Sequence, residues 1–117
     1  MESNVYAALS GAAAVTAITG SRIYVGHIKQ SAALPALTYE RVSTTPNPTL
    51  GANNPTTSAR CQVDAWADTY AEARALADAA RDAMFSITAV WLNEIYQYEP
   101  DTEVHHISAD FSVWFST

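Results

Sequence analysis

From Ala59 to Trp66 small or apolar residues alternate with larger polar or aromatic ones: Ala59, Cys61, Val63 and Ala65 against Arg60, Gln62, Asp64 and Trp66. A period of two marks a strand with one face on a core, and it predicts a strand over Ser58–Trp66. The same period returns near the end of the chain, where Ile107, Ala109, Phe111, Val113 and Phe115 alternate with His106, Ser108, Asp110, Ser112 and Trp114, and predicts a strand over Val104–Phe115. Val90, Leu92, Tyr96 and Tyr98 predict a third over Ala89–Glu99, with Trp91, Asn93, Ile95 and Gln97 on its other face. Pro100-Asp-Thr makes the turn that folds these last two into a hairpin. Pro35 marks the start of a fourth strand, Ala36–Ser43, because proline is tolerated at a strand's first residues and not in its centre.

Elsewhere the period is helical. Thr69-Tyr-Ala-Glu72 is a capping box, in which the threonine hydroxyl accepts from the Glu72 amide and the Glu72 side chain reaches back to the threonine amide. Ala73, Leu76, Ala77, Ala80, Ala83 and Met84 then line one face at spacings of three and four, so a helix is predicted over Tyr70–Met84. Val5, Leu9, Ala12, Ala13, Val15 and Ile18 keep an imperfect helical period that suits two short helices, the second capped by Ser10 and ended by Gly20. Arg22–Gly26 reads as a brief extended stretch. The predicted class is α+β: an antiparallel sheet of about four strands, a long helix packed on one face, and short N-terminal helices.

Between the first two predicted strands lies Thr44–Thr57, where three prolines, three asparagines, five threonines and one glycine leave almost nothing to bury. Connections of this length inside a compact domain are usually functional or mobile. We therefore expect a mobile loop at residues 44–57 whose side chains Thr45, Asn47, Thr49, Leu50, Asn53 and Asn54 meet a partner.

Composition narrows the function. The chain has 117 residues, one domain's worth, and is 49% hydrophobic but only 15% charged, against about 25% charged in an average soluble domain. A thin charged surface leaves room for a face that pairs with another protein. Six basic residues against twelve acidic ones, with no basic run, argue against tight phosphate or nucleic-acid binding. The weakly polar stretch Ala7–Ile18 falls short of a bilayer span, and Glu2 precedes it where a signal peptide carries basic residues, so the chain reads as soluble and made in a reducing compartment. Cys61 is the single cysteine and falls on the apolar strand face, which makes it a core thiol.

Candidate chemistry is sparse. His105 and His106 point to opposite strand faces, and His106 and Asp110 stand about 13 Å apart along theirs, too far for one metal ion. His106 and Ser108 are about 6.6 Å apart along the strand, beyond a nucleophile–base hydrogen bond. The glycines are scattered rather than grouped into a phosphate loop. No catalytic, cofactor-binding or metal-ligating set is predicted. Trp66, Trp91 and Trp114 fall opposite the best apolar strand faces, so either the sheet is covered on both sides or these rings meet a partner.

The order of motifs carries a resemblance. Ala14-Val-Thr-Ala-Ile, Gly20-Ser-Arg-Ile-Tyr, Ala33-Leu-Pro-Ala-Leu-Thr-Tyr-Glu-Arg-Val, Ala59-Arg-Cys-Gln-Val-Asp-Ala-Trp-Ala and Tyr70-Ala-Glu-Ala-Arg-Ala-Leu-Ala-Asp-Ala follow one another between Val5 and Met84. This series resembles the tail completion, or tail-to-head joining, proteins of long-tailed bacteriophages and prophages. The resemblance implies a structural virion protein without enzymatic activity or cofactor, made in the bacterial host cytoplasm. It also implies a sixfold ring in the virion neck, which joins the tail to the head-side portal and adaptor assembly and lets DNA pass. Its implied partners are neighbouring copies of itself, head-side adaptor or stopper proteins, and the tail terminator or tail tube protein, with no tight nucleic-acid contact and no membrane. A tail terminator capping the tail tube is the alternative within the same setting. A small hydrolase or ligand-binding domain, built from Ser108, His106 and an acid of another strand, is the alternative from a different class.

Overall fold

The computed structural model describes residues 2–26, 33–47, 56–100 and 103–116. Two helices, α1 (Glu2–Gly11) and α2 (Ala13–Thr19), lead into a short strand, β1 (Ile23–Val25). A long hairpin follows, β2 (Ala36–Asn47) and β3 (Thr56–Ala67), then α3 (Tyr70–Met84) and a second hairpin, β4 (Ala89–Glu99) and β5 (Val104–Ser116). The sheet order is β1-β2-β3-β5-β4, with β1 parallel to β2 and every other pair antiparallel. Four antiparallel strands are thus joined by a fifth, parallel one. Three residues are too few to display a period of two, which is why Ile23–Val25 reads in the sequence only as an extended stretch.

All three helices lie on one side of the sheet. Thr69 caps α3 by accepting the Glu72 amide at 3.2 Å, while the Glu72 carboxylate accepts from the Thr69 hydroxyl at 3.3 Å in place of the expected Thr69 amide. The expected face of α3, Ala73, Leu76, Ala77, Ala80, Ala83 and Met84, is buried against Cys61, Val63 and Ala65 of β3 and Ile107, Ala109, Phe111 and Val113 of β5. Small alanines bring the helix axis close to the strands, and Leu76 and Met84 fill the remaining space. Val5 and Leu9 of α1 and Val15 of α2 close the core over Leu37 and Tyr39 of β2. At ten, seven and fifteen residues, the helices share this layer, so the face is not covered by one long helix alone.

Two local expectations change. Ser10 does not cap α2: its hydroxyl donates to the Tyr6 carbonyl at 2.7 Å, inside α1, and the residue at the α2 cap position is Ala12. Gly20 ends α2 as expected, at φ 61, a left-handed backbone that glycine takes without a Cβ penalty. The predicted loop is also shorter than 44–57. Strand pairing continues through Thr44↔Ala59 and Thr45↔Ser58 to Asn47↔Thr56, so Thr45 and Asn47 belong to β2. Threonine suits a strand, and Pro46 fits because β2 has no neighbour on its other side at that point among the described residues. Thr49, Leu50, Asn53 and Asn54 lie outside the described residues.

Candidate assembly surfaces

Opposite the helices, the strands present an open and mainly polar face. Cross-strand rows run from β2 through β3 and β5 to β4: Ala36, Trp66, His106, Gln97; then Thr38, Asp64, Ser108, Ile95; then Glu40, Gln62, Asp110, Asn93. Trp66 anchors the first two rows. Its ring stacks on His106 with centroids 3.9 Å apart and planes 7° from parallel, and its Nε1 donates to Thr38 Oγ1 at 3.0 Å. Arg60 donates to Asp110 at 2.6 Å.

His106, against the Trp66 ring, and Asp64 are both buried. Burial pushes the Asp64 carboxyl up, but His106, Ser108 and Gln62 together outweigh it and hold the group below its ordinary value. His106 Nε2 stands 3.3 Å from Asp64 Oδ1, outside good hydrogen-bond geometry. These are the serine, histidine and acid that a hydrolase would use, and their order is wrong for one. A catalytic histidine is hydrogen-bonded between nucleophile and acid, whereas here Ser108 lies across the strands from Asp64 and His106 Nε2 makes no hydrogen bond. Among the described residues no three His, Cys, Asp or Glu side chains are grouped to hold a metal ion.

The apolar surface lies at the sheet's margin. α3 packs over β3 and β5, and β4 overhangs beyond it. A row of α3 side chains at spacings of four and seven reaches across to hold it. Tyr70 meets Tyr96 edge to face at 5.0 Å, Arg74 clasps Glu94 with Nη1 at 2.7 Å and Nη2 at 2.9 Å, and the Arg81 guanidinium lies 5.0 Å over the Trp91 ring. Its hydrogen bonds to Glu94, opposed by partial burial and helped by Asp78, push the Arg74 guanidinium further above its already high value, so it stays charged. Even so clasped, β4 leaves Val90, Leu92, Ile95, Trp91, Tyr96 and Tyr98 exposed, with Leu92 53% and Ile95 50% accessible. Its helix side carries Ala89, Trp91, Tyr96 and Tyr98, its open side mixes Val90 and Ile95 with Asn93, Gln97 and Glu99, and it is the last strand in the sheet.

Leu92 is a bulge, with Trp91 opposite Phe111 and Asn93 opposite Asp110. The extra residue reverses the alternation, so Trp91 joins Tyr96 and Tyr98 on the helix side and Asn93, Ile95 and Gln97 stay on the open face. The three tryptophans therefore do not share a face. Trp66 is engaged as the stacking partner of His106, Trp91 lies under Arg81, and Trp114 stands 38% exposed on the open face of β5.

The model of the tail completion protein gp17 family matches residues 3–116. The chain belongs to that family. It is accordingly a structural protein of the virion tail and not an enzyme, which removes the hydrolase alternative on grounds independent of the Asp64 geometry. Its fold is that of a chain in the solved virion of a native gene transfer agent particle, with a TM-score of 0.83 at 14% identity, over 100% of this chain and 95% of that one. A search of curated proteins finds no match. No helix among the described residues of this family member is long and apolar enough to cross a membrane. What the strand patterns did not reveal is the prominence of Val25, Val42, Leu92 and Ile95, because exposure depends on which strands are outermost. The signal available in the sequence was the run Val90-Trp-Leu92 with Ile95, Tyr96 and Tyr98, which breaks the one-sided alternation seen in β3 and β5.

Proposed function

We propose that the chain is one subunit of a ring in the particle neck, joining the tail to the head-side adaptor assembly and leaving a passage for DNA. The observation that carries this is β4, an eleven-residue edge strand that leaves Val90, Leu92, Ile95, Tyr96 and Tyr98 exposed. An exposed apolar edge is an aggregation hazard that proteins ordinarily blunt, so its retention on a virion component indicates that other protein covers it in the assembly. Trp91 and Trp114 extend that surface, and Thr45, Asn47, Thr49, Leu50, Asn53 and Asn54 of the β2–β3 hairpin serve contacts with the adjoining ring.

Passing DNA must slide. The described cations are already engaged: Arg60 with Asp110, Arg74 with Asp78 and Glu94, Arg81 with Asp78 and Asp82, Arg22 with the Pro35 and Ile18 carbonyls, and Arg41 with the Thr44 hydroxyl. With a net charge of −6, the ring offers phosphates little to hold. Assembly is templated, since a preformed adaptor ring presents its sites at high effective concentration. Sedimentation of the purified chain, alone and with the adjoining neck complex, tests this: a monomer alone and a ring in the complex are expected. A chain that enters particles without forming a ring would refute the proposal.

A further inference from the structure

The seam between α3 and β4 is built from rungs of one chemistry. Arg81 of α3 lies 5.0 Å over the Trp91 ring, and Arg74 is held by Asp78 and by Glu94 of β4. In both, a guanidinium meets an aromatic face or a carboxylate. The third rung, at the start of α3, has rings with carboxylates around them, and its guanidinium is missing.

There Tyr70, Tyr96, Tyr98 and His105 form one aromatic cluster. Tyr70 meets Tyr96 at 5.0 Å and 89°, and His105 lies 4.9 Å from Tyr98 and 5.9 Å from Tyr96, whose hydroxyl stands 2.6 Å from His105 Nδ1. Rings joined in this way hold one another in place, yet the cluster is open: Tyr70, Tyr96 and Tyr98 are 48%, 45% and 46% exposed. Strand register puts it at a corner of the sheet, since His105 pairs with Ala67 at the end of β3 and with Tyr98 near the end of β4. Asp68, Glu72 and Glu103, all exposed, flank that corner along the chain. Glu94 and Glu99 are left out of this set because each already has a partner.

We infer that an arginine of a second kind of virion protein seats on this cluster. The inference rests on the assembly role proposed above and names the chemistry of one of its contacts. Exposed tyrosine faces attract a cation through the ring quadrupole, a planar guanidinium stacks on such faces, and the flanking carboxylates steer it there. The α3 N-terminus, which alone would repel a cation, carries the Thr69 hydroxyl on the Glu72 amide and has the Asp68 and Glu72 carboxylates about it. A second copy of this chain does not fit, because every arginine it could offer already has a partner in its own chain. Arg22 donates to the Pro35 and Ile18 carbonyls and Arg41 to the Thr44 hydroxyl, while Arg60, Arg74 and Arg81 pair with carboxylates. At a net charge of −6 each, two copies also repel.

Two measurements test this. Ring resonances of the four cluster residues are followed by NMR as the amidated peptide Gly-Arg-Gly-Arg-Gly is added to the full chain, and again with its citrulline counterpart, which keeps the shape and loses the charge. The arginine peptide should shift them saturably, and the citrulline peptide should bind about fivefold or more weakly. Tyr98→Leu, which leaves the net charge unchanged, should weaken the arginine peptide by a similar factor. Equal binding of both peptides, insensitivity to Tyr98→Leu, or no shift at all would overturn the inference. Iodination of the unaltered chain is mapped as well, free and in particles: Tyr70, Tyr96 and Tyr98 should react in the free chain and be shielded in the particle. A visible ring with these tyrosines still reactive would overturn this contact and leave the ring standing. Shielded tyrosines in particles without a ring would overturn the ring and leave the contact.

Discussion

Replacing Arg74 with Met and Glu94 with Gln, singly and together, isolates the clasp that holds the overhanging strand to the helix layer. Arg74 presents two guanidinium nitrogens to two Glu94 oxygens, at 2.7 and 2.9 Å, with side chains 31% and 16% exposed. Unit charges about 4 Å apart attract by about 4 kcal/mol at an effective dielectric constant of 20. Ordering the long arginine offsets about 1.5–2 kcal/mol of that. Asp78, which also accepts from Arg74 at 2.7 Å, supplies an alternative partner when Glu94 is neutral. The expected coupling is therefore about 1–2 kcal/mol, above the 0.2–1 kcal/mol usual for an exposed pair. It is read as the non-additive part of a urea-unfolding cycle on the four proteins, with unchanged denaturant slopes. The β4 amides should exchange faster in the single variants than those of β3. Coupling within about 0.5 kcal/mol of zero, or equal exchange in both strands, would mean that β5 alone fixes β4 and that the reach of α3 across the sheet is incidental.

Leu76→Ala, which truncates a fully buried side chain between α3 and the sheet, should cost about 2–5 kcal/mol in urea unfolding; unaltered stability would mean the site collapses without a cavity. Thr69→Ala removes the α3 cap and should cost about 1 kcal/mol by the same measurement. The depressed Asp64 carboxyl contributes stability above its unfolded value, about 3.9, and loses it as pH falls through the lower folded value. The stability gap between wild type and Asp64→Asn should accordingly narrow on acidification below about pH 4, and a gap constant with pH would contradict the assignment. Titration of duplex DNA into the free chain should show no salt-sensitive binding at submicromolar concentration, since its net charge is −6 and Arg60, Arg74 and Arg81 are already paired with carboxylates.

Where a segment has one buried face, its residues alone determine what it becomes. The cap at Thr69 and the alanine stripe of α3, the alternation through Cys61 and the alternation from Ile107 to Val113 each carry their own period, and the side chains those periods turn inward are the ones buried. β2 was legible only in part, because its outer half is polar threonine and proline, chemistry that suits a loop and an unpaired strand margin equally. Tertiary structure decided what depends on neighbours. The parallel pairing of Ile23–Val25 comes from the chain's return past α2, and no three-residue pattern encodes it. The bulge at Leu92 moves Trp91 to the helix side, because register is settled by the partner strand and a single extra residue reverses every side chain on one side of it. Likewise Asp64, His106, Ser108 and Trp66, from two strands forty residues apart, form one packed cluster only through the β3–β5 register. The sheet order had the largest consequence: it set β4 at the margin of the sheet, where Val90, Leu92, Ile95, Tyr96 and Tyr98 stay exposed because no further strand or helix covers them among the described residues.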